Sequence, residues 1–377
     1  MPTSNGSGSI PRIAVVVSQL GAGGAERQTV ELLRGLRDSP WRPQLVVCLS
    51  RDLHPFQEDI RGFGYTIEVL PRAGSYDPGR LRRLRGLLRR HRIGIVHAVH
   101  LLASGYAFLA TRGPGMPAVL PTIRGTVIDP GPLRGLIYRW MFHSCPRALA
   151  NSHRGAAFVE RRFAVPPGRI AVVPNGIDFT AAREASALQG LRAALAIPAH
   201  APLVVYVGKN STVKNVPRFM ATWKQVSAAW PDAHAVLIGG GLGVQDRPAL
   251  LGDCPPHRTH CLGLRDDVPS LLSQADVLVL TSNSEGAPNV VLEALAVGTP
   301  VVSTDVGDVP RMVLHESTGF VVPSARPEEL AAAVGRVLAG RREFRGAVLE
   351  DAARLEREYS VEAMIANTVT LWQEIAR

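Results

Sequence analysis

The stretch Ser284 to Val302, SEGAPNVVLEALAVGTPVV, limits what this chain can fold into more than any other. It follows DVLVLTS (Asp276 to Ser282), a short apolar, β-branched run ending in polar residues, as a buried strand does where it enters a loop. The loop carries Glu285, Gly286, Ala287, Pro288 and Asn289; the periodic segment VVLEALAV then stops at Gly298 with Pro300 beyond it, which predicts a helix. Val290, Val291, Leu292, Ala294, Leu295, Ala296 and Val297 make that helix apolar on every side and predict burial all round, yet Glu293 lies among them. A carboxylate there costs several kcal/mol unless it is paired or hydrogen-bonded. Helical side chains lean toward the N-terminus, so Glu293 reaches back to the mouth of the loop, where the N–H groups of the first turn also point. With Glu285 on the loop itself, two carboxylates and a helix N-terminus converge at the carboxyl end of a strand, the place where open α/β sheets bind ligands. A sugar nucleotide suits such a volume: hydroxyls for the carboxylates, phosphate for the amides. The plainer alternative makes Glu285 a solvated loop residue and Glu293 a helix-start carboxylate favoured by the macrodipole.

A chain of 377 residues exceeds what one hydrophobic core usually supports, so two domains are expected. Charged residues make up 20% and hydrophobic residues 46%, too apolar for a disordered chain. The net charge of +10 is carried almost wholly by arginine, the lysines being Lys209, Lys214 and Lys224. Such a balance permits attraction to anionic lipid, nucleic acid or phosphorylated substrate without choosing between them. Cys48, Cys145, Cys254 and Cys261 are scattered, with no C-x-x-C spacing, which argues against a metal cluster or a disulfide framework. Residues 1–9 read as a polar, disordered tail without the features of a signal peptide, and no apolar run is long enough to span a bilayer. A cytoplasmic chain is expected.

RIAVVVS, QLVVCLS, YTIEVL, IGIVHAV, AVLPT, RALAN and RIAVVP read as strands with helical segments between them, and a second such series starts at PLVVYVG (Pro202 to Gly208). Alternation of this kind predicts parallel sheets with crossovers on both faces. The first strand leads into a glycine-rich loop, Gly21 to Gly24, that allows close approach of phosphate. It departs from G-x-G-x-x-G because Glu26 takes the third glycine's place, and no acid closes the next strand, so a nicotinamide-dependent oxidoreductase is disfavoured. A tight turn with no ligand explains the loop equally well. GKNSTVKN (Gly208 to Asn215) places two of the three lysines after a strand end, a position from which cations can neutralise a departing diphosphate, with two solvated loop lysines as the alternative. IVHAVH sets His97 and His100 at a strand end suited to a cleft, with satisfied structural histidines as the alternative.

The Glu-x7-Glu pair in SEGAPNVVLEALAVGTPVVSTDVG resembles the C-terminal signature of family-4 retaining glycosyltransferases. That resemblance implies the α/β GT-B fold: two facing Rossmann-like domains with parallel sheets and a cleft between them. It further implies that Glu285 contacts the transferred sugar, that Glu293 holds the ribose, and that the backbone of Gly286, Ala287, Pro288, Asn289 and Val290 meets the diphosphate. GGAER resembles the family's first loop, bringing Gly23 and Gly24 to the donor. PNGID (Pro174 to Asp178) resembles the handover from the first domain to a linker. The implied division is 1–9 tail, 10–178 N-terminal acceptor-side domain, 179–200 linker, 201–355 C-terminal nucleotide-sugar domain, and 356–377 a helix crossing back.

Lys209 stands where the family usually has Arg, and Lys214 matches the family's Lys. An ammonium offers a point charge rather than a bidentate fork. LGLRDDVPSLLSQAD resembles the base-reading segment, at Gly263, Leu264 and Arg265. TIRGT resembles the family's T-x-H-G, with Arg124 in place of a His that meets the transferred sugar; an arginine cannot cycle a proton near pH 7. No Asp-x-Asp occurs, which fits a metal-independent donor site and no cofactor. In GRLRRLRGLLRRHR (Gly79 to Arg92) seven arginines surround leucines at helical spacing: a basic helix for an anionic membrane through Arg80–Arg92, or an ordinary surface helix with a leucine stripe turned inward.

The resemblance implies a retaining transferase that moves a sugar from a nucleoside-diphosphate donor, UDP or GDP, to a hydroxyl of a glycan or lipid-linked acceptor in envelope or exopolysaccharide synthesis, with no nucleic-acid partner, working in the cytoplasm or at the inner face of the membrane. Lys209, Lys214, Glu285 and Arg124 are the candidate catalytic residues, and His97 and His100 the candidates on the acceptor or sugar side. A nucleotide-sugar epimerase and a sugar-nucleotide-binding protein without transfer activity are the alternatives on the same fold.

Overall fold

The computed structural model describes residues 10–73, 77–125, 130–185 and 190–377. It divides into two compact domains: the chain up to Gly176 together with Val361–Arg377 forms the first, and Ile177–Ser360 the second.

The first domain runs β1 (Ile13–Val17), α1 (Gly24–Leu36), β2 (Leu45–Cys48), α2 (Gln57–Gly62), β3 (Ile67–Val69), α3 (Gly79–Arg90), β4 (Ile95–Val99), α4 (Leu101–Ala110), β5 (Ala118–Ile123), α5 (Gly131–Ser144), β6 (Ala148–Ala150), α6 (His153–Phe163) and β7 (Ile170–Val172). Among the described residues these strands form one parallel seven-stranded sheet in the order β3-β2-β1-β4-β5-β6-β7. β1 and β4 are buried at every position, as expected of strands covered on both faces. One face packs on Leu84, Leu88, Phe108, Met141 and Phe142 from α3, α4 and α5. The other is covered by Leu32 and Leu36 of α1 together with Trp372 from the end of the chain.

The second domain contains α7 (Phe179–Ala185), α8 (Leu191–Ala194), β8 (Leu203–Val207), α9 (Val216–Ala229), β9 (His234–Ile238), α10 (Arg247–Leu251), β10 (Thr259–Gly263), α11 (Val268–Ser273), β11 (Val277–Leu280), α12 (Asn289–Ala296), β12 (Val301–Thr304), α13 (Val309–Met312), β13 (Gly319–Val322), α14 (Pro327–Ala339), α15 (Arg341–Glu350) and α16 (Ala352–Tyr359). Its described strands form a parallel six-stranded sheet, β10-β9-β8-β11-β12-β13. α17 (Val361–Ala376) then packs against α1 of the first domain.

Both sheets are doubly wound. Strand order reverses between β1 and β4 in the first domain and between β8 and β11 in the second. Those reversals open a crevice at the carboxyl edge of each sheet, because successive crossovers leave on opposite faces.

Two segment boundaries differ from the sequence reading. Residues 179–200, expected as a linker, contribute Phe179, Ala182, Leu191 and Ile197 to the second domain's core, with residues 186–189 outside the described chain. Their Ala-rich composition hid a few well-placed apolar anchors. The return to the first domain begins at Val361 rather than at residue 356, because Leu355 and Tyr359 hold α16 in the second domain. The tail of residues 1–9 lies outside the described residues.

Candidate active site

In the second domain, the loops after β8 and β11 meet at the reversal of strand order. Asn283 fastens them together: its backbone N–H donates to the Val213 carbonyl at 2.7 Å and its side-chain amide to the Thr212 carbonyl at 2.7 Å. The Asn215 amide donates to Asn283 Oδ1 at 3.1 Å, and the Thr281 hydroxyl donates to the Lys214 carbonyl at 3.2 Å. This framework delivers Lys214 Nζ to 2.6 Å from Glu285 Oε1, which also accepts from the Ser282 hydroxyl at 2.6 Å. Both side chains are largely buried. The pair is a charge-assisted contact held on both sides by backbone.

Glu285 leads into α12, whose first turn starts at Asn289 with Pro288 as its N-cap. The positive end of this helix and its first-turn N–H groups fit phosphate oxygens. Glu293 is buried on α12 among Val291, Leu292, Ala294 and Leu295, as its apolar surroundings required. The loop after β12 closes over the segment that leads into α12. Asp308 N–H donates to the Gly286 carbonyl at 2.8 Å, and Gly307, at φ 51°, passes so near that a Cβ would stand 2.1 Å from that carbonyl oxygen.

On the other side of the loop after β8, Lys209 is exposed, and Leu264 is 74% exposed just past Gly263 at the end of β10. Gly240 lies between them: a Cβ on it would be 3.8 Å from Lys209 Cγ and 3.9 Å from Leu264 Cδ2. Its neighbour Gly239, at φ 142°, would place a Cβ 2.2 Å from the Gly208 carbonyl oxygen. The glycine run after β9 thus lets the lysine loop and the Gly263–Leu264 edge come together. Its signal in the sequence, Gly239-Gly240-Gly241 after an apolar strand, resembles a phosphate or ligand loop but carries no side chain to name it.

In the first domain, the carboxyl edge of the sheet carries a second polar cluster. Gly23 caps α1 in an extended conformation and Gly24 opens the helix, putting Glu26 in its first turn. Glu26 is buried; its Oε1 accepts from Gln19 Nε2 at 3.2 Å and lies 3.6 Å from His100 Nε2. Arg124 donates through Nη1 to Asn175 Oδ1 at 2.9 Å. Burial lowers its pKa to about 10 while the Glu26 charge pulls it back up, so the guanidinium stays charged at neutral pH. Gln28 exchanges two hydrogen bonds with the backbone of Gly176 at 2.7 and 2.9 Å, fixing the PNGID segment beside Arg124. Glu26 and Gln28 were missed as site residues; the signal available was an acid in the first turn of the helix that follows the glycine loop.

The two histidines separate. His100 sits at the N-cap of α4 with φ 89° and ψ 147°, a strained region nearly reserved for glycine. Burial, and then the Arg124 charge, push its pKa down to about 4, so the imidazole beside Glu26 is neutral near pH 7. His97 does not join it. β4 continues through Val99, leaving His97 within the strand, 2% exposed, its Nε2 3.1 Å from Thr122 Oγ1 and its ring edge-on to Trp372 at 5.7 Å. It is a core residue of the first domain, and the expectation of an acceptor-side role is corrected by the length of the strand.

The basic helix α3 turns its leucines inward, with Leu84, Leu87 and Leu88 buried. Arg80, expected on a membrane-facing surface, is 4% exposed: its guanidinium donates to the Leu70 and Leu49 carbonyls and stacks on Tyr106. No helix among the described residues is long and apolar enough to cross a membrane.

Sequence comparison agrees with this geometry on both domains. Residues 22–181 match the model described as Glycosyltransferase Family 4, and residues 201–340 match Glycosyl transferases group 1. The chain belongs to the family-4, group-1 glycosyltransferases. A D-inositol 3-phosphate glycosyltransferase of Mycolicibacterium gilvum is 28% identical over 73% of this chain and 60% of its own length. An Escherichia coli UDP-Gal:alpha-D-GlcNAc-diphosphoundecaprenol alpha-1,3-galactosyltransferase is 26% identical over 63% of this chain and 64% of its own. The match therefore spans less than two thirds of either relative. Anabaena HepE, solved with UDP, superposes with a TM-score of 0.80 at 18% identity, covering 96% of this chain and 100% of the other. At that identity the likeness establishes the fold, GT-B, with two parallel-sheet Rossmann-like domains.

Proposed function

We propose that this glycosyltransferase-family chain moves a sugar from a nucleoside-diphosphate donor to an acceptor hydroxyl with retention at the anomeric carbon. The observation that carries the reading is the Lys214–Glu285 pair beside the N-terminus of α12, with Glu293 buried one turn behind it. In this reading the first turn of α12 and Lys214 bind the diphosphate, with Lys209 reaching it from the same loop, Glu293 takes the ribose hydroxyls, Glu285 orients the transferred sugar, and Gly263–Leu264 meets the base. UDP is the preferred nucleotide, supported by the complexes of Anabaena HepE with UDP and with UDP-glucose.

The acceptor oxygen attacks the anomeric carbon from the face the diphosphate leaves. The C–O bond to phosphate breaks as the new C–O bond forms, and the acceptor proton passes to the departing phosphate oxygen. Lys214 and the α12 N-terminus stabilise the charge that grows there, taking the role a divalent metal fills elsewhere. Addition of EDTA is expected to leave the rate unchanged.

Glu26, His100 and Arg124 form the acceptor and sugar side in the first domain. The named activity of the E. coli relative supports a lipid-linked glycan as acceptor, and an acceptor anchored by its lipid in a bilayer places the work at a membrane surface. The test is a panel of UDP-, GDP-, ADP- and TDP-sugars with isoprenoid-diphosphate-linked acceptors, the product's anomeric configuration being read by NMR. Epimerised nucleotide sugar without transfer, or binding without turnover, selects one of the two alternatives instead.

A further inference from the structure

The sequence directs attention to α3 as a membrane-facing element, but the unpartnered apolar face lies on α5. Leu133, Leu136 and Trp140 recur at three- and four-residue spacing and are 72%, 66% and 51% exposed, while Tyr138, Met141 and Phe142 on the other side of the helix are buried in the core. Isolated exposed leucines are ordinary; three large apolar side chains on one helical stripe are not. Trp140 is held in place, its ring edge-on to Phe108 at 4.8 Å with the Arg112 guanidinium 5.6 Å from its centroid. A tryptophan braced half in and half out of a surface has the form of an interfacial anchor.

The surroundings are cationic. Arg134 and Arg139 are exposed on α5 itself. α4 lies between α5 and α3, and Arg85 of α3 donates to the Arg112 carbonyl at 2.7 Å. The exposed arginines of α3 thus continue the charged margin of the apolar stripe. An apolar stripe rimmed by arginines fits a bilayer with anionic headgroups, the acyl boundary taking the leucines and the phosphates taking the guanidinium groups.

We propose that α5, through Leu133, Leu136 and Trp140 with Arg134 and Arg139 beside them, docks this protein on an anionic lipid bilayer. The inference rests on the membrane-bound reading of the acceptor and is independent of the donor's identity.

The experiment is co-sedimentation of the full chain with vesicles of phosphatidylcholine alone and of phosphatidylcholine with phosphatidylglycerol. Wild type is expected to bind the mixed vesicles and not the neutral ones. Leu133→Ser/Leu136→Ser, and the triple variant adding Trp140→Ser, are expected to weaken binding by about tenfold or more. Arg134→Glu/Arg139→Glu is expected to weaken it most at low salt, while UDP-induced stabilisation of all three variants matches wild type. Wild type that binds while the α5 variants bind equally well overturns the assignment to α5 and leaves the membrane reading standing. Wild type that binds no vesicle overturns both. A dimer in light scattering that the leucine substitutions abolish, without vesicle binding, assigns the stripe to a second copy of the chain and overturns the lipid assignment.

Discussion

Lys214 and Glu285, 71 residues apart in the chain, meet at 2.6 Å because each stands on the loop that follows one of the two strands flanking the reversal in the second domain's sheet. The two groups hold each other in place, so their contributions to catalysis are expected to overlap. Lys214→Met and Glu285→Gln should each lower kcat/KM for donor consumption by roughly 100- to 1,000-fold. The double variant should lose far less than the product of the two losses, since either change already disorders the pair. Steady-state kinetics on the four proteins checks this; fully multiplicative losses contradict it.

Gly307 offers a test that touches no reacting group. Alanine there would carry φ 51° and bring a Cβ to 2.1 Å from the Gly286 carbonyl oxygen. The loop after β12 must move off the Glu285–Gly286 backbone that leads into α12, at a cost of about 1–3 kcal/mol. We predict a lower melting temperature and roughly tenfold or greater loss of nucleotide affinity from Gly307→Ala, read by thermal denaturation and titration calorimetry. Alanine in place of Gly346, in the interior of α15, where the added Cβ meets nothing outside its own helix within 4 Å, is the control: it should leave nucleotide affinity unchanged and hold or raise the melting temperature, as alanine favours a helix over glycine.

Arg124 tests whether the donor and the acceptor are held by different domains. It contacts Asn175 and feels the Glu26 charge, all within the first domain. Arg124→Ala should therefore cut transfer while leaving UDP affinity within about twofold, a change too small to represent a lost charged contact. Equilibrium binding of UDP beside a transfer assay measures the split, and a parallel fall in both would move Arg124 to the donor.

The buried histidines set an acid limit on stability. Burial holds His97 at about 3 and His100 at about 4, against 6.5 when exposed. Above pH 6.5 both are neutral in folded and unfolded chains alike and contribute no pH dependence. Below it the unfolded chain binds protons that the folded chain refuses, so stability falls as pH drops from 6.5 toward 4, by up to about 1.4 kcal/mol per pH unit for each residue. Denaturant unfolding at pH 7.5, 6 and 5 should show this loss, and His97→Gln should lessen it.

Much of this architecture was legible because parallel sheets leave a strong trace: apolar strands such as IAVVV and VLVL, buried on both faces, alternate with amphipathic helices. Glu293 was legible for the opposite reason, as a charge where the pattern allowed none. What the pattern could not resolve was side-chain direction at a strand end. His97 and His100 look alike in IVHAVH, yet one faces Trp372 and the other Glu26, since the strand ends between them. Arg80 and the exposed arginines of α3 likewise share a composition and differ in whether carbonyls of Leu49 and Leu70 lie within reach. The loop after β9 and Gly307 act through close backbone approach, which the letters of a sequence record only as glycine.

The central claim is that a nucleoside-diphosphate sugar binds the second domain at Glu285, Lys214 and Glu293. Titration calorimetry of wild type and Glu293→Ala with UDP, GDP, ADP and TDP tests it most directly. One nucleotide, UDP first among them, is expected to bind wild type, and Glu293→Ala to bind it at least about tenfold more weakly, through the loss of a buried carboxylate's hydrogen bonds to ribose. Wild type that binds none of the four, or a Glu293→Ala variant that is folded and binds as tightly as wild type, contradicts it.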